Sequence, residues 1–178
     1  VLILNTPQNP TGGVIDADRL AALAQLAEAN DLIVIVDEIY RPFNYGAPPV
    51  PSILTIPGMR ERCILVDGFS KTYAMTGWRL GYGLLPTPLA SRFALLALND
   101  HACVPAFVQR AGIAALIGTQ EPLHTIITEL ATRPAPGSTS LAEIPGVRVS
   151  APPGAFYAFP TVPAAATAPP PPPAPPPA

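Results

Sequence analysis

Charge is what this sequence has least of: only 12% of its 178 residues are charged, ten Lys and Arg against twelve Asp and Glu, for a net charge of −2. So small and balanced a charge excludes the basic face of a nucleic-acid binder and the polybasic cluster of a membrane-surface anchor. Cysteine is scarce too. Cys63 and Cys103 make neither a disulfide framework nor a metal-ligand spacing, which suits a reducing compartment. No apolar run reaches the roughly 18 residues of a membrane helix, and no charged-then-apolar leader opens the chain. These shortages predict a soluble, cytoplasmic protein with no metal, no nucleic-acid partner and no membrane.

What is present is hydrophobic. Apolar residues reach 49%, enough for a core of domain size. Proline is abundant, 26 in all, and nine of those fall within residues 161–178. That stretch holds only Pro, Ala, Thr and Val, so a disordered or polyproline II tail is expected there. The opening Val1-Leu2-Ile3-Leu4 reads as a strand in mid-flow, which points to a piece of something longer.

Residues 1–4 predict a first strand, closed by a proline- and glycine-rich loop over 5–13. Asp16 caps a helix whose Leu20, Leu23, Ala24 and Ala27 follow helical spacing, and Asn30-Asp31 ends it. Residues 32–36, apolar without alternation, have the pattern of a strand covered on both faces. Strand, helix, strand makes a right-handed βαβ unit. A third strand is expected over 63–66, after the loop containing Pro48 to Pro51, and a fourth over 80–85. Helices follow over roughly 89–98 and 104–117, then one from about Gln120 that Pro134, Pro136 and Gly137 break. Residues 146–159 read as strand, turn at Pro152-Pro153-Gly154, strand. The fold class is α/β.

In open α/β sheets, ligands bind beyond the carboxyl ends of the strands. Beyond the first strand stands Asn9-Pro10-Thr11-Gly12. Beyond the second come Asp37 and Tyr40, and beyond the third Ser70 and Lys71, with Arg79 further on. Singly, each has a plain reading: a turn, a solvated Asp-Glu cap, a surface lysine, an arginine stacked on Trp78. Their recurrence at successive strand ends, all on one edge, makes a candidate site.

Asn9-Pro10-Thr11-Gly12, Val36-Asp37-Glu38-Ile39-Tyr40 and the run from Gly68-Phe69-Ser70-Lys71 to Trp78-Arg79-Leu80-Gly81-Tyr82 resemble the class I/II aminotransferases. These are pyridoxal-phosphate (PLP) enzymes of fold type I. The resemblance runs from Val1 to about Leu116 and resumes over 144–160, where Pro153-Gly154-Ala155-Phe156-Tyr157 resembles a small-domain motif. It implies that residues 1–118 are part of the large PLP-binding domain, a mostly parallel sheet flanked by helices. Residues 119–160 would then be a connecting helix and a remnant of the small C-terminal domain, and 161–178 the tail.

The resemblance also implies the cofactor, pyridoxal 5′-phosphate, and the roles around it. Lys71 would form the Schiff base and, once displaced by substrate, move a proton between the substrate α-carbon and the cofactor, help typically worth about 10²–10⁴-fold. Asp37 would pair with the ring N–H, a charge-assisted bond of about 1.5–3 kcal/mol. Asn9 and Tyr40 would bond the ring 3-oxygen, while Arg79 and Ser70 would contact the phosphate. Gly68 stands where many relatives have Ser or Thr, so a phosphate hydroxyl is missing or its place is taken by backbone N–H groups. Trp78, Phe156, Tyr157 and Phe159 read as packing residues. His101, His124, Cys63 and Cys103 receive no role.

The reaction so implied is amino transfer from an amino acid to a 2-oxo acid, in the aspartate, aromatic or alanine branch, by an enzyme that is a homodimer when whole. A carbon–sulfur lyase or decarboxylating enzyme of the same fold is the alternative, because the cofactor residues are shared. A catalytically dead remnant, docking its proline runs 169–173 and 175–177 on proline-reading domains, is a third. The family's upstream glycine-containing phosphate loop and ring-stacking aromatic are not in this chain. Its last charged residue is Arg148, so no arginine is assigned to the substrate carboxylate. Residues 133–140 also lack the charged helix of relatives. These departures fit a truncation or a reading-frame slip, leave the strand over 32–36 with an exposed side, and make weak or no transamination the expectation for the isolated chain.

Overall fold

The computed structural model describes residues 1–45, 49–132 and 134–162, without the side chains of 101 and 134–137. The expected disordered tail beyond 162 lies outside the described residues, as do part of the 48–51 proline loop and the His101 side chain.

Strand β1 (Leu2–Asn5) runs into the proline-rich loop, and helix α1 (Ala17–Ala29) begins where the Asp16 carboxylate accepts the Arg19 N–H at 2.8 Å. Strands β2 (Val34–Asp37) and β3 (Cys63–Gly68) lie parallel to β1. Register sets Leu2, Val34 and Cys63 in one row and Leu4, Val36 and Leu65 in the next. Leu20, Ala24 and Ala27 of α1 close over those rows, with Ile53 and Met59 from the β2–β3 connection, and this is the main core. Strand β4 (Gly81–Leu84) pairs antiparallel to β3 and completes the order β1-β2-β3-β4. Between them stand only one-turn α2 (Phe69–Thr72) and a 3₁₀ turn at Thr76–Trp78, too little helix to carry the chain back for a parallel return.

The sheet is covered on one side, as expected for a strand over 32–36 left with an exposed side. The apolar pattern of residues 32–36 suits burial on both faces, and the described residues supply it on one. Away from α1, Ile3 is 73% exposed, and Ile33 and Val66 also remain open.

Helices α3 (Thr87–His101), α4 (Ala106–Ile117), α5 (Glu121–Thr132) and α6 (Pro134–Ala142) follow. Helix α6 runs through Pro134, Pro136 and Gly137, where the sequence leads one to expect a break. Helix α4 lies close against the turn after β3 at Gly112, where a Cβ would sit 2.5 Å from Leu80 Cδ2 and 3.1 Å from Phe69 Cζ. Ile126, Ile127 and Leu130 of α5 pack on a second core built from Tyr40, Phe43 and Ala155.

The expected hairpin over 146–159 is corrected by the structure. Arg148 pairs with Thr161 in one isolated bridge and Asn44 with Gly154 in another. Pro152 and Pro153 have no N–H to give a ladder, and neighbouring groups bond to the loops after β1 and β2 instead. Gly154 N donates to Gly12 O at 3.1 Å, Ala155 N to Phe43 O at 2.7 Å, and Tyr45 N to Pro153 O at 3.0 Å. Gly12 is indispensable to this clasp. Its φ is +70°, and a Cβ there would come 2.3 Å from Pro152 Cβ and 2.8 Å from Gly154 O. Overpacking costs about 1–3 kcal/mol and a left-handed alanine about 1–2 more. Gly12→Ala is therefore expected to lower the urea midpoint clearly, a loss that an unchanged midpoint would contradict.

Candidate active site

Asp37 closes β2 and stands in register with Asn5 of β1 and Val66 of β3. Strand alternation places all three on the face away from α1. Its carbonyl accepts Thr6 N at 3.1 Å and Asn5 Nδ2 at 3.3 Å, and its carboxylate Oδ1 accepts Ile39 N at 3.0 Å. The acid is thereby fixed at a strand end. The turn that follows, with Arg41 N on Glu38 O and Phe43 N on Tyr40 O, both at 2.8 Å, carries Tyr40 into a buried position.

Tyr40 is the hub of the site. Its hydroxyl is hydrogen-bonded to that of Tyr157, and the rings of Phe156 and Tyr157 meet it edge-on with centroids at 5.3 and 5.4 Å. Lys71, in α2, holds Nζ 5.9 Å from the centre of the Tyr40 ring. The Asn9 side chain faces the same phenol, from a loop whose residue 9 N–H donates to Asn5 Oδ1 at 2.9 Å. Burial, then Tyr157, then the Asp37 charge raise the Tyr40 pKa above the usual 10, against a smaller lowering by Asn9, so the group is a neutral phenol at physiological pH.

Asn9, Asp37, Tyr40 and Lys71 are thus brought around one ring. Ser70, half-buried, sits beside Lys71 in α2. Arg79 is placed differently. It follows the 3₁₀ turn in a left-handed conformation, φ 52°, with Nη1 donating to Thr76 O at 2.8 Å. Its side chain lines a separate open cavity of about 740 Å³ with Trp78, Cys103, Val104 and Phe107. Tyr157, read from sequence as packing, is a residue the sequence missed. The available signal was its place in the motif Pro153-Gly154-Ala155-Phe156-Tyr157, but the pairing with Tyr40 depends on the loop clasp. Lys71 is moreover the only lysine in the chain.

The neighbouring Glu38 is no solvated cap. Alternation turns it to the α1 side, where it is 1% exposed, with Oε1 accepting Ile53 N at 2.9 Å and Ser52 Oγ at 3.0 Å. Arg41 Nε lies 3.1 Å from Oε2. Burial raises its pKa above 4.5, outweighing those bonds and the Arg41 charge, with a further small rise from Asp67. Because the folded form holds this proton more tightly, Glu38 favours folding most below pH 4.5, its ordinary value, and that contribution fades as pH rises through the raised one. The stability advantage of wild type over Glu38→Gln is expected to shrink from pH 4.5 upward, measured by urea unfolding across pH; a growing advantage would contradict it. Asp67 accepts Gly68 N at 2.6 Å and the Tyr82 hydroxyl at 3.0 Å, and burial together with Asp67 pushes Tyr82 up to about 12. These groups anchor the strand ends from behind.

Among the described residues no helix is long and apolar enough to cross a membrane, and no cluster of ligating side chains could hold a metal. The family described as Aminotransferase class I and II matches residues 1–168. The chain is 40% identical over 159 residues to the aspartate aminotransferase of Musicola paradisiaca, covering 89% of this chain and 40% of that protein. It is 36% identical over 160 residues to the aspartate aminotransferase of Sulfolobus acidocaldarius, covering 90% of this chain and 40% of the relative. Among solved structures it is similar to the aromatic aminotransferase from Pyrococcus horikoshii OT3, with a TM-score of 0.84 and 38% identity over 89% of this chain and 43% of that one. The chain therefore spans about 40% of the length of the curated relatives it matches.

Proposed function

The chain belongs to the class I and II aminotransferases, and on that premise we propose that it carries the lysine-bearing part of a PLP site that transfers an amino group from an amino acid to a 2-oxo acid. The observation that carries the reading is the Lys71 amine over the face of Tyr40, with Asp37 and Asn9 acting on the same phenol from adjacent strand ends.

This donor set suits the ring end of PLP: an amine to hold an aldehyde, a carboxylate for a ring nitrogen, and a neutral phenol and an amide for a ring oxygen. The phosphate end is less complete. Gly68 has no hydroxyl, and a Cβ there would meet Leu80 O at 3.1 Å and Gly81 Cα at 3.2 Å, so a serine needs the neighbouring strand to give way. The Arg79 fork, bonded to Thr76 O, would have to turn to reach a phosphate.

When bound, PLP supplies an electron sink for the pair left when a substrate α-proton departs. Lys71 Nζ would hold the cofactor, and, once a substrate amine takes its place, accept and return that proton. Asp37 would keep a proton on the ring nitrogen by its charge. Tyr40 and Asn9 would donate to the ring 3-oxygen and orient the ring. The whole enzyme is read as a cytoplasmic homodimer, with aspartate, aromatic amino acids or alanine as amino donors. Nitrogen-15 in each donor, offered with PLP and a 2-oxo acid, tests the reaction. Label in the new amino acid supports it; release of pyruvate and ammonia from a sulfur amino acid, without label transfer, contradicts it in favour of carbon–sulfur cleavage.

A further inference from the structure

We infer that Tyr157 is a positioning residue of this site: its hydroxyl, bonded to that of Tyr40, sets the direction in which the Tyr40 phenol presents its own proton. The inference rests on the reading of Lys71, Asp37 and Tyr40 given above.

A phenol has one rotatable proton and accepts through the same oxygen. Tyr40 is buried among Phe43, Phe156 and α5, and the Tyr157 hydroxyl is the hydroxyl bonded to it. If Tyr157 donates, the Tyr40 proton is left to be given onward to an anionic oxygen; if Tyr157 accepts, that proton is spent. An oxyanion beside Tyr40 therefore selects one order, Tyr157 to Tyr40 to oxyanion, and each bond in such a chain polarises the next.

The backbone holds Tyr157 for this task. Gly154 is clasped to Gly12 and Ala155 to Phe43, and Ala155, fully buried, adopts φ 56°, a left-handed conformation unusual for alanine. That turn presents Phe156 and Tyr157 together to the Tyr40 ring, across 117 residues of sequence. A residue serving packing alone has no need of its hydroxyl there.

A double-substitution cycle on the full chain tests this, with PLP as the probe. Tyr40→Phe, Tyr157→Phe and the double variant keep the rings and remove hydroxyls. Tyr157→Phe is expected to weaken PLP binding about threefold to tenfold and to move the pH midpoint of the bound-cofactor absorbance in the same direction as Tyr40→Phe. The double variant should bind no worse than Tyr40→Phe alone. Tyr157→His, which returns a ring N–H donor, should recover part of the loss and stands in where Tyr157→Phe unfolds. Additive losses, or a Tyr157→Phe chain with wild-type affinity and midpoint, would overturn the role of Tyr157 while leaving Lys71 attachment intact. Wild-type chain that does not attach PLP at Lys71 would overturn the functional reading, and this inference with it.

Discussion

Lys71→Ala is expected to lose covalent attachment of PLP outright and to slow amino-group exchange by the whole enzyme by about 10²–10⁴-fold, the usual worth of a positioned acid–base group. The loss should be chemical rather than structural. Lys71 sits on one-turn α2, whose place is held by Phe69 N on Leu80 O at 3.1 Å and by the buried Phe69 ring, and alanine is the strongest helix former. The cation over the Tyr40 ring, 5.9 Å from its centre and at the outer limit of such contacts, contributes only about 0.5–1 kcal/mol. Urea midpoints of the two chains should agree closely while rates differ by orders of magnitude. Added methylamine should restore part of the rate, since a diffusing amine can take over the proton transfer. Equal rates in the two whole enzymes would remove Lys71 from the chemistry.

Asp37→Asn is expected to weaken PLP binding and exchange by roughly tenfold to a hundredfold, the fold-change of a charge-assisted hydrogen bond worth about 1.5–3 kcal/mol. This substitution separates charge from shape. Asn keeps an oxygen where Asp37 Oδ1 accepts Ile39 N at 3.0 Å, and the strand-end bonds to Thr6 and Asn5 use only its backbone carbonyl. What is lost is the negative charge that would hold a proton on the ring nitrogen. Because that charge also raises the Tyr40 pKa, tyrosine absorbance at high pH gives an independent check: Tyr40 should ionise more readily in Asp37→Asn than in wild type. A variant with unchanged PLP affinity would deny Asp37 its role.

Much of the fold was legible because local chemistry decided it. Asp16 caps α1 as its position before Leu20, Leu23 and Ala24 predicts, and the βαβ unit follows from apolar runs around that helix. The site was legible in part for the same reason: a parallel sheet puts the residues after each strand on one edge, so Asn9 and Lys71 both come to Tyr40 without any long-range signal. The rest depended on tertiary docking. Residues 146–159 carry strand-like side chains, yet Pro152 and Pro153 remove donors, and the loops holding Gly12 and Phe43 capture the next ones. Tyr157 looked like packing because nothing nearby in sequence tells which hydroxyl it will find. Glu38 was readable in principle: if Asp37 faces the site, its neighbour must face the α1 core. Antiparallel β4 was not, since Gly81-Tyr82-Gly83-Leu84 alternates the same way in either direction.

Lys71 makes the central claim unusually direct to test, since the sequence holds no other lysine. The measurement is incubation of the full chain with PLP, reduction by borohydride, and mass mapping of the peptides. A single phosphopyridoxyl adduct on the peptide containing Lys71, absent from Lys71→Ala, is the predicted result. No label on the Lys71 peptide under saturating PLP would contradict it.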